Sequence, residues 1–208
     1  MLTIAFINGS PKAKESASGC LLKELKGFLQ DSEITEFRLR TAEGRDLAEI
    51  LKNDVLVFSF PLYVDGIPSH LLRCLTQLEE LSKESKPTAK VYAICNSGFY
   101  EGHQNRHALQ MIENWCAKSE LNWGQGIGIG GGGMILSIQS VPSGKGPKKK
   151  ISSALATMAG NILSTRSESN LYTAPGFPRF LYKLSAEMGW RQAVKANGHK
   201  TGDLSTRR

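Results

Sequence analysis

The residue types best suited to chemistry are crowded near the start of the chain. Ser10, Lys12, Ser16 and Ser18 fall within nine positions, between an apolar run and an amphipathic one. Three hydroxyls and an amine at this spacing can hold a phosphate. The first N–H groups of a helix have no partner inside it, and its dipole favours an anion there. The same pattern suits an ordinary strand-to-helix turn capped by a serine. Two more polar loops follow, Pro61-Leu-Tyr-Val-Asp-Gly-Ile-Pro68 and Asn96-Ser-Gly-Phe-Tyr-Glu-Gly102. Tyr63 in the first of them can flank a flat ring, or pack on the next helix. His103 and His107 are four apart, but only Glu101 and Glu113 stand near enough to complete a metal set. Two surface histidines at a helix start is the better reading, because short motifs are weak. Cys20, Cys74, Cys95 and Cys116 are scattered without a C-x-x-C pair, which points to free thiols rather than zinc or an iron–sulfur cluster.

The polar loops are placed by the elements before them. Ile4–Ile7, Val55–Phe60 and Val91–Cys95 are short, continuous apolar runs rich in β-branched and aromatic residues, and read as buried strands. Each ends where a polar loop begins. The stretch from Glu33 to Arg40 alternates polar and apolar, as a strand near a sheet edge does. Helical spacing is predicted for Leu21–Leu29, Leu47–Leu51, Leu71–Leu81 and from about Gln104 to Ser119. Strands alternating with helices in this way make a parallel sheet covered on both faces. Gly126, Gly128 and Gly131 satisfy G-x-G-x-x-G, but no helical pattern follows at once and no acid lies ~20 residues on. The run reads as a glycine-rich last strand opening into a flexible loop.

The net charge of +7 is uneven: residues 1–140 carry a net −2 and residues 141–208 a net +9. A basic tail suits an acidic partner, a nucleic acid or a phosphorylated ligand. No nucleic-acid module is present, so no nucleic-acid partner is expected. No apolar run approaches the ~20 residues of a membrane span, and no leader pattern opens the chain, so a cytoplasmic protein without a membrane partner is expected. Lys148, Lys149 and Lys150 stand at the start of a further helix through Leu163, where cations oppose the helix dipole and favour an anionic partner. From Phe177 onward, Phe177, Phe180, Leu181, Leu184 and Met188 form an apolar stripe beside Arg179, Lys183, Arg191 and Lys195. That helix packs on its own domain or on a second subunit.

Ile7-Asn-Gly-Ser-Pro-Lys12, followed by Ser16-Ala-Ser18, resembles the phosphate loop of the NADPH-dependent FMN reductase family. Pro61–Pro68 resembles that family's second flavin loop and Asn96–Phe99 its third, in the same order, over residues 1 to about 135. The resemblance implies an α/β fold: a flavodoxin-like three-layer sandwich with a five-stranded parallel sheet in the order 2-1-3-4-5 and a C-terminal helical extension. Residues 1–166 would form the FMN-binding domain and residues 167–208 a basic extension of the same domain. FMN would be held by Ser10, Lys12, Ser16, Ala17 and Ser18, by Pro61, Leu62, Tyr63 and Val64, and by Asn96, Ser97, Gly98 and Phe99. The flavin carries the redox chemistry, so no catalytic acid, base or metal is assigned. NADPH or NADH would deliver hydride to flavin N5. A quinone, free flavin, nitro or azo compound, or metal ion would then accept the electrons. Family members commonly form homodimers or dimers of dimers, which is the assembly expected here. Ala17 departs from the family, many of whose members carry Asn there. The other readings are a flavodoxin-like electron carrier and an FMN-free binding module of the same fold.

Overall fold

The structure, a computed structural model, describes residues 1–39 and 44–205. The apolar runs become the central strands of a parallel sheet. In chain order the elements are β1 (Thr3–Asn8), α1 (Ala17–Lys26), β2 (Glu33–Arg38), α2 (Gly44–Ile50), β3 (Val55–Pro61), α3 (Ser69–Ser85), β4 (Lys90–Asn96), α4 (Arg106–Lys118), β5 (Asn122–Ile129), α5 (Gly132–Ile135), α6 (Lys149–Leu163), β6 (Leu171–Thr173) and α7 (Arg179–Ala196). The sheet order is β2-β1-β3-β4-β5-β6, every neighbour parallel. The expected order of the first five strands is therefore present, with a sixth added at the edge. β6 is three residues long, too short to announce itself by periodicity. β2 ends at Arg38, and Arg40, which the sequence placed on that strand, lies outside the described residues.

Side chains along each central strand alternate between two cores. Ala5, Ile7, Leu56, Phe58, Phe60 and Val91 pack with α2, α3 and α4 on one face. Ile4, Phe6, Val55, Val57, Tyr92 and Ile94 pack with α1 and α6 on the other. Burial on both faces is why these strands read as continuous apolar runs. β2 lies at the edge with no fully buried residue, as its alternation predicts. Trp115 sits in the first core, edge-to-face on Phe58 at 5.6 Å, and donates its indole N–H to Leu75 O. All four cysteines are free, three of them buried.

The glycine run of β5 answers to close approach. A Cβ on Gly128 would come 2.6 Å from Gly102 O, and one on Gly130 would come 2.0 Å from Tyr100 O. The loop after β4 thus lies directly against β5, leaving no room for a side chain. His103 meets Tyr172 of β6 edge-to-face, with ring centroids 4.8 Å apart. Among the described residues no group of three His, Cys, Asp or Glu could hold a metal, and no helix is long and apolar enough to cross a membrane.

The chain divides into two compact units, Met1–Gly176 and Phe177–Arg208. The second contains α7 and a 3-10 turn at Thr201–Ser205. No residue of α7 is buried, and Phe180 and Trp190 are 71% and 68% exposed.

One of the three lysines at the start of α6, Lys148, finds its anion inside the chain. Glu24 of α1 pairs with Lys148 Nζ at 2.8 Å, with the two side chains only 10% and 12% exposed. The same carboxylate accepts from the hydroxyls of Ser143 and Ser152, and Ser152 Oγ accepts from Gly144 N. An acid here also suits the α6 dipole. The network ties α1 to the turn before α6 and to α6 itself. Glu24→Gln removes the anion and strands the Lys148 charge in a nearly buried site. A loss of about 3 kcal/mol is expected in urea unfolding. A loss below about 1 kcal/mol would mean that the pair behaves as a surface ion pair.

Candidate functional site

The three polar loops meet at the carboxyl edge of the sheet. Ligands of open α/β sheets bind at this edge, where the strand order reverses, and here the reversal falls between β1 and β3. A cleft of about 250 Å³ opens there, and all three loops line it. Of the residues expected at a site, it brings together Ser10, Lys12, Ser16, Ala17, Ser18, Pro61, Leu62, Tyr63, Asn96, Ser97 and Gly98. Val64 and Phe99 are not in its lining. Val64 is fully exposed at a turn tip, and Phe99 is 52% exposed.

The first loop is held from both sides. Ser10 N donates to Asn8 Oδ1 at 3.0 Å, and Gly9 N donates to Ser59 O at 2.9 Å. Gly9 fits because a Cβ there would already press on Leu71 and Phe60 at 3.1 Å. His70 Nε2 lies 3.0 Å from Gly9 O. Ser16 caps α1, its Oγ accepting from Gly19 N at 3.1 Å. Ser18 Oγ accepts from Asn96 Nδ2 at 2.9 Å, and Ser10 Oγ accepts from Lys12 N at 3.4 Å. Each hydroxyl therefore already accepts a hydrogen bond from the protein, and each keeps its own O–H to give. The first N–H groups of α1, on Ala17 and Ser18, stand at the same end with no partner inside the helix. Ser16 and Ser18 are 4% and 1% exposed, so these donors are fixed rather than free to rotate into water. The arrangement is built to receive an acceptor-only group such as a phosphate.

The second loop is a tight hairpin. Tyr63 and Gly66 exchange two backbone hydrogen bonds of 3.0 Å across Val64 and Asp65, whose φ values are +48° and +57°. Left-handed backbone at a β-branched valine is strained. The turn leaves Tyr63 46% exposed beside the cleft. The third loop is fastened to the start of α5. Gly132 N donates to Ser97 O and Gly131 N to Phe99 O, at 2.7 and 2.6 Å. Ser97 Oγ is buried without a hydrogen-bond partner. A Cβ at Gly98 or Gly133 would meet nothing within 4 Å, so both glycines border open space.

Gly132, Gly133 and Leu136 also line the cleft, and the sequence reading missed them. Their signal was the glycine run itself. A Cβ on Gly132 would lie 2.9 Å from Ser97 O, so glycine there is a condition of the third loop's position.

At about 250 Å³ the cleft is smaller than pockets that enclose a whole drug-sized ligand, ~300–1,000 Å³. A nucleotide-sized ligand would be gripped at its anionic end and left partly open at the other. Two larger cavities, about 660 and 820 Å³, flank α1, but neither contains the convergent donors of the loops.

No protein-family model matches the chain, and no curated protein matches it in sequence. Solved structures do resemble it in shape. An NADH:FMN oxidoreductase, EMOB, in its apo form superposes with a TM-score of 0.58 at 14% identity, covering 81% of this chain and 91% of that one. The rubredoxin:oxygen oxidoreductase of Desulfovibrio gigas superposes with a TM-score of 0.56 at 12% identity, covering 78% of this chain and 35% of that one. An azoreductase from Bacillus anthracis gives 0.51 at 14%, covering 79% of this chain and 100% of that one. The fold is flavodoxin-like. At these identities the likeness speaks to the flavodoxin-like architecture, with the C-terminal helix as an addition.

Ser97 offers a direct check on the cleft. Replacing a buried hydroxyl that has no partner removes a desolvation cost, so Ser97→Ala is expected to leave the ligand-free protein as stable as before or about 1 kcal/mol more stable. A destabilisation of that size in urea melts would mean that the hydroxyl is already satisfied within the protein.

Proposed function

We propose that this protein is an FMN-dependent NAD(P)H oxidoreductase. The observation that carries the reading is the convergence of Ser10, Ser16 and Ser18, each with an O–H left to donate, on one cleft at the strand-order reversal. These residues fit the phosphate of FMN. The α1 N–H groups and Lys12 add donors and charge. Ser97, whose buried Oγ lacks a partner, fits a polar edge of the ring system. Tyr63 supplies an aromatic face beside it. Bound FMN would supply the two-electron chemistry, taking hydride from NAD(P)H and passing electrons to a quinone, flavin, nitro or azo compound, or metal ion. The protein's part is to bind, orient and tune, so no side chain need move a proton. A cytoplasmic setting belongs to the same reading.

Titration with FMN is expected to quench its fluorescence and give a protein-bound band at ~450 nm. Ser10→Ala is expected to weaken FMN by about 1.5–3 kcal/mol, the range for a hydrogen bond to a charged group, or roughly ten- to hundredfold. Ser16→Ala is a poorer probe, because it also uncaps α1. Unchanged affinity in Ser10→Ala would remove the phosphate loop from the site. A protein that binds no FMN is the binding module, and one that binds FMN but barely oxidises NAD(P)H with a small quinone is the electron carrier.

We also propose a homodimer, or an assembly of dimers, in which the exposed stripe of Phe180, Leu184 and Met188 is covered by a second copy. An apolar stripe of this kind is a liability on a monomer. Light scattering at micromolar concentration should give at least twice the chain mass, and a monomer would refute the assembly.

A further inference from the structure

A cavity of about 660 Å³ lies between α1 and the chain that runs from α5 into α6. No residue lines both it and the cleft. Its size falls within the ~300–1,000 Å³ of pockets that take a small organic molecule. Its apolar walls are Leu21 on α1, Phe28 just past the end of α1, Ile135 on α5, Ile138 and Val141 on the connection that follows, and Ile151 on α6. Walls held apart by a space of this size forgo contacts that an apolar occupant restores.

The polar groups narrow the chemistry of that occupant. Four charged residues line the cavity, Glu15, Lys23, Glu24 and Lys148, two of each sign. Glu15 and Lys23 are exposed, whereas Glu24 and Lys148 face each other at 2.8 Å in a nearly buried place. Glu24 also accepts from the hydroxyls of Ser143 and Ser152, so its carboxylate has little left to offer a cation. An anion gains no charge balance, since Lys148 already has Glu24, and it loses its hydration. An ammonium carries three N–H groups, however, and Glu24 is the only partner of Lys148 Nζ among the described residues. An uncharged oxygen acceptor can take one of the others without disturbing the pair. Cys20, on the same wall, adds no charge: burial first, and then Glu15, push its thiol above the ordinary range. Its Sγ donates to Gln139 Oε1 at 3.5 Å.

We propose that this cavity is a second ligand site, separate from the cleft, for an uncharged molecule with an apolar body and a carbonyl or similar oxygen set against Lys148. None of its residues belongs to the cleft, so the site stands or falls apart from the oxidoreductase reading.

Fluorescence titration of the full chain tests this. The probe is prodan, an uncharged naphthalene ketone whose emission moves to the blue away from water and hydrogen-bond donors. The control is anilinonaphthalene sulfonate, which carries a fixed negative charge on a similar ring system. One prodan per chain is expected, bound at least about tenfold tighter than the sulfonate. Cys20→Phe fills the cavity from α1 and should weaken prodan by at least about tenfold, whereas Ser10→Ala, in the cleft, should leave it unchanged. The double variant Glu24→Gln/Lys148→Met removes both charges together, so neither is stranded. It should weaken prodan by about tenfold and move the bound emission further to the blue, because the ketone has lost its donor. A merely structural role for the pair would lower affinity without that shift. Cys20→Phe keeps the pair intact and decides the matter if the double variant fails to fold. Sulfonate binding as tight as prodan, indifference to Cys20→Phe, loss of prodan in Ser10→Ala, or bound emission unmoved by the double variant would overturn the proposal.

Discussion

The side-chain amide of Asn96 holds the carboxyl edge of the sheet together. It donates to Ser18 Oγ at the start of α1 and to Phe60 O at the end of β3, while its own residue ends β4. Three loops that are far apart in sequence thus share one buried group. Ser59 repeats the device one strand over, donating its hydroxyl to Ser18 O at 3.1 Å. Because Asn96 gives one N–H to Ser18 Oγ, that serine keeps its own O–H to donate and has little rotational freedom. The pre-set polarity of the cleft follows from this single amide. In a site this dry, a polar group either has its partner fixed or carries the full cost of desolvation.

Much of this was legible in the sequence because it is written locally. Ile4–Ile7 and Val55–Phe60 are apolar on every position because both faces of their strands are buried, and each ends in the loop that lines the cleft. The edge position of β2 was readable from its alternation. The features that escaped are those carried by contacts distant along the chain. Glu24 and Ser152 are 128 residues apart, and nothing in the local pattern of either marks the bond between them. Lys148 therefore looked like an open invitation to an anion, when its anion was already supplied by Glu24. β6 pairs through three residues, below the length at which alternation means anything. The glycines of β5 were visible, but their reason was the backbone of the β4 loop pressed against them.

The strand-end loops differ in how they are fixed. The first is held by side chains: Asn8, Ser16 and Asn96 take up its backbone and hydroxyls. The third is held by backbone hydrogen bonds to the glycines after β5. The second is held mainly by its own hairpin, with two residues forced into left-handed geometry. Strain of this kind persists where the surrounding structure over-determines a conformation, and it is often found where a protein grips a ligand. The least externally supported loop is thus also the one that carries the exposed aromatic.

The Glu24 latch has a consequence for how the chain assembles. It closes loops of more than a hundred residues, so the entropy of bringing its ends together is large, and its contacts can form only after the intervening strands have collected. The turn it secures leads back to α5, whose Gly132 and Gly133 wall the cleft. The serine-bearing wall of the cleft is made of β1, α1 and β3 and is set by Asn96 at the end of β4. The opposite wall waits for the C-terminal third of the domain. On a ribosome, the wall that carries the serine donors would be present well before the glycine wall that faces it.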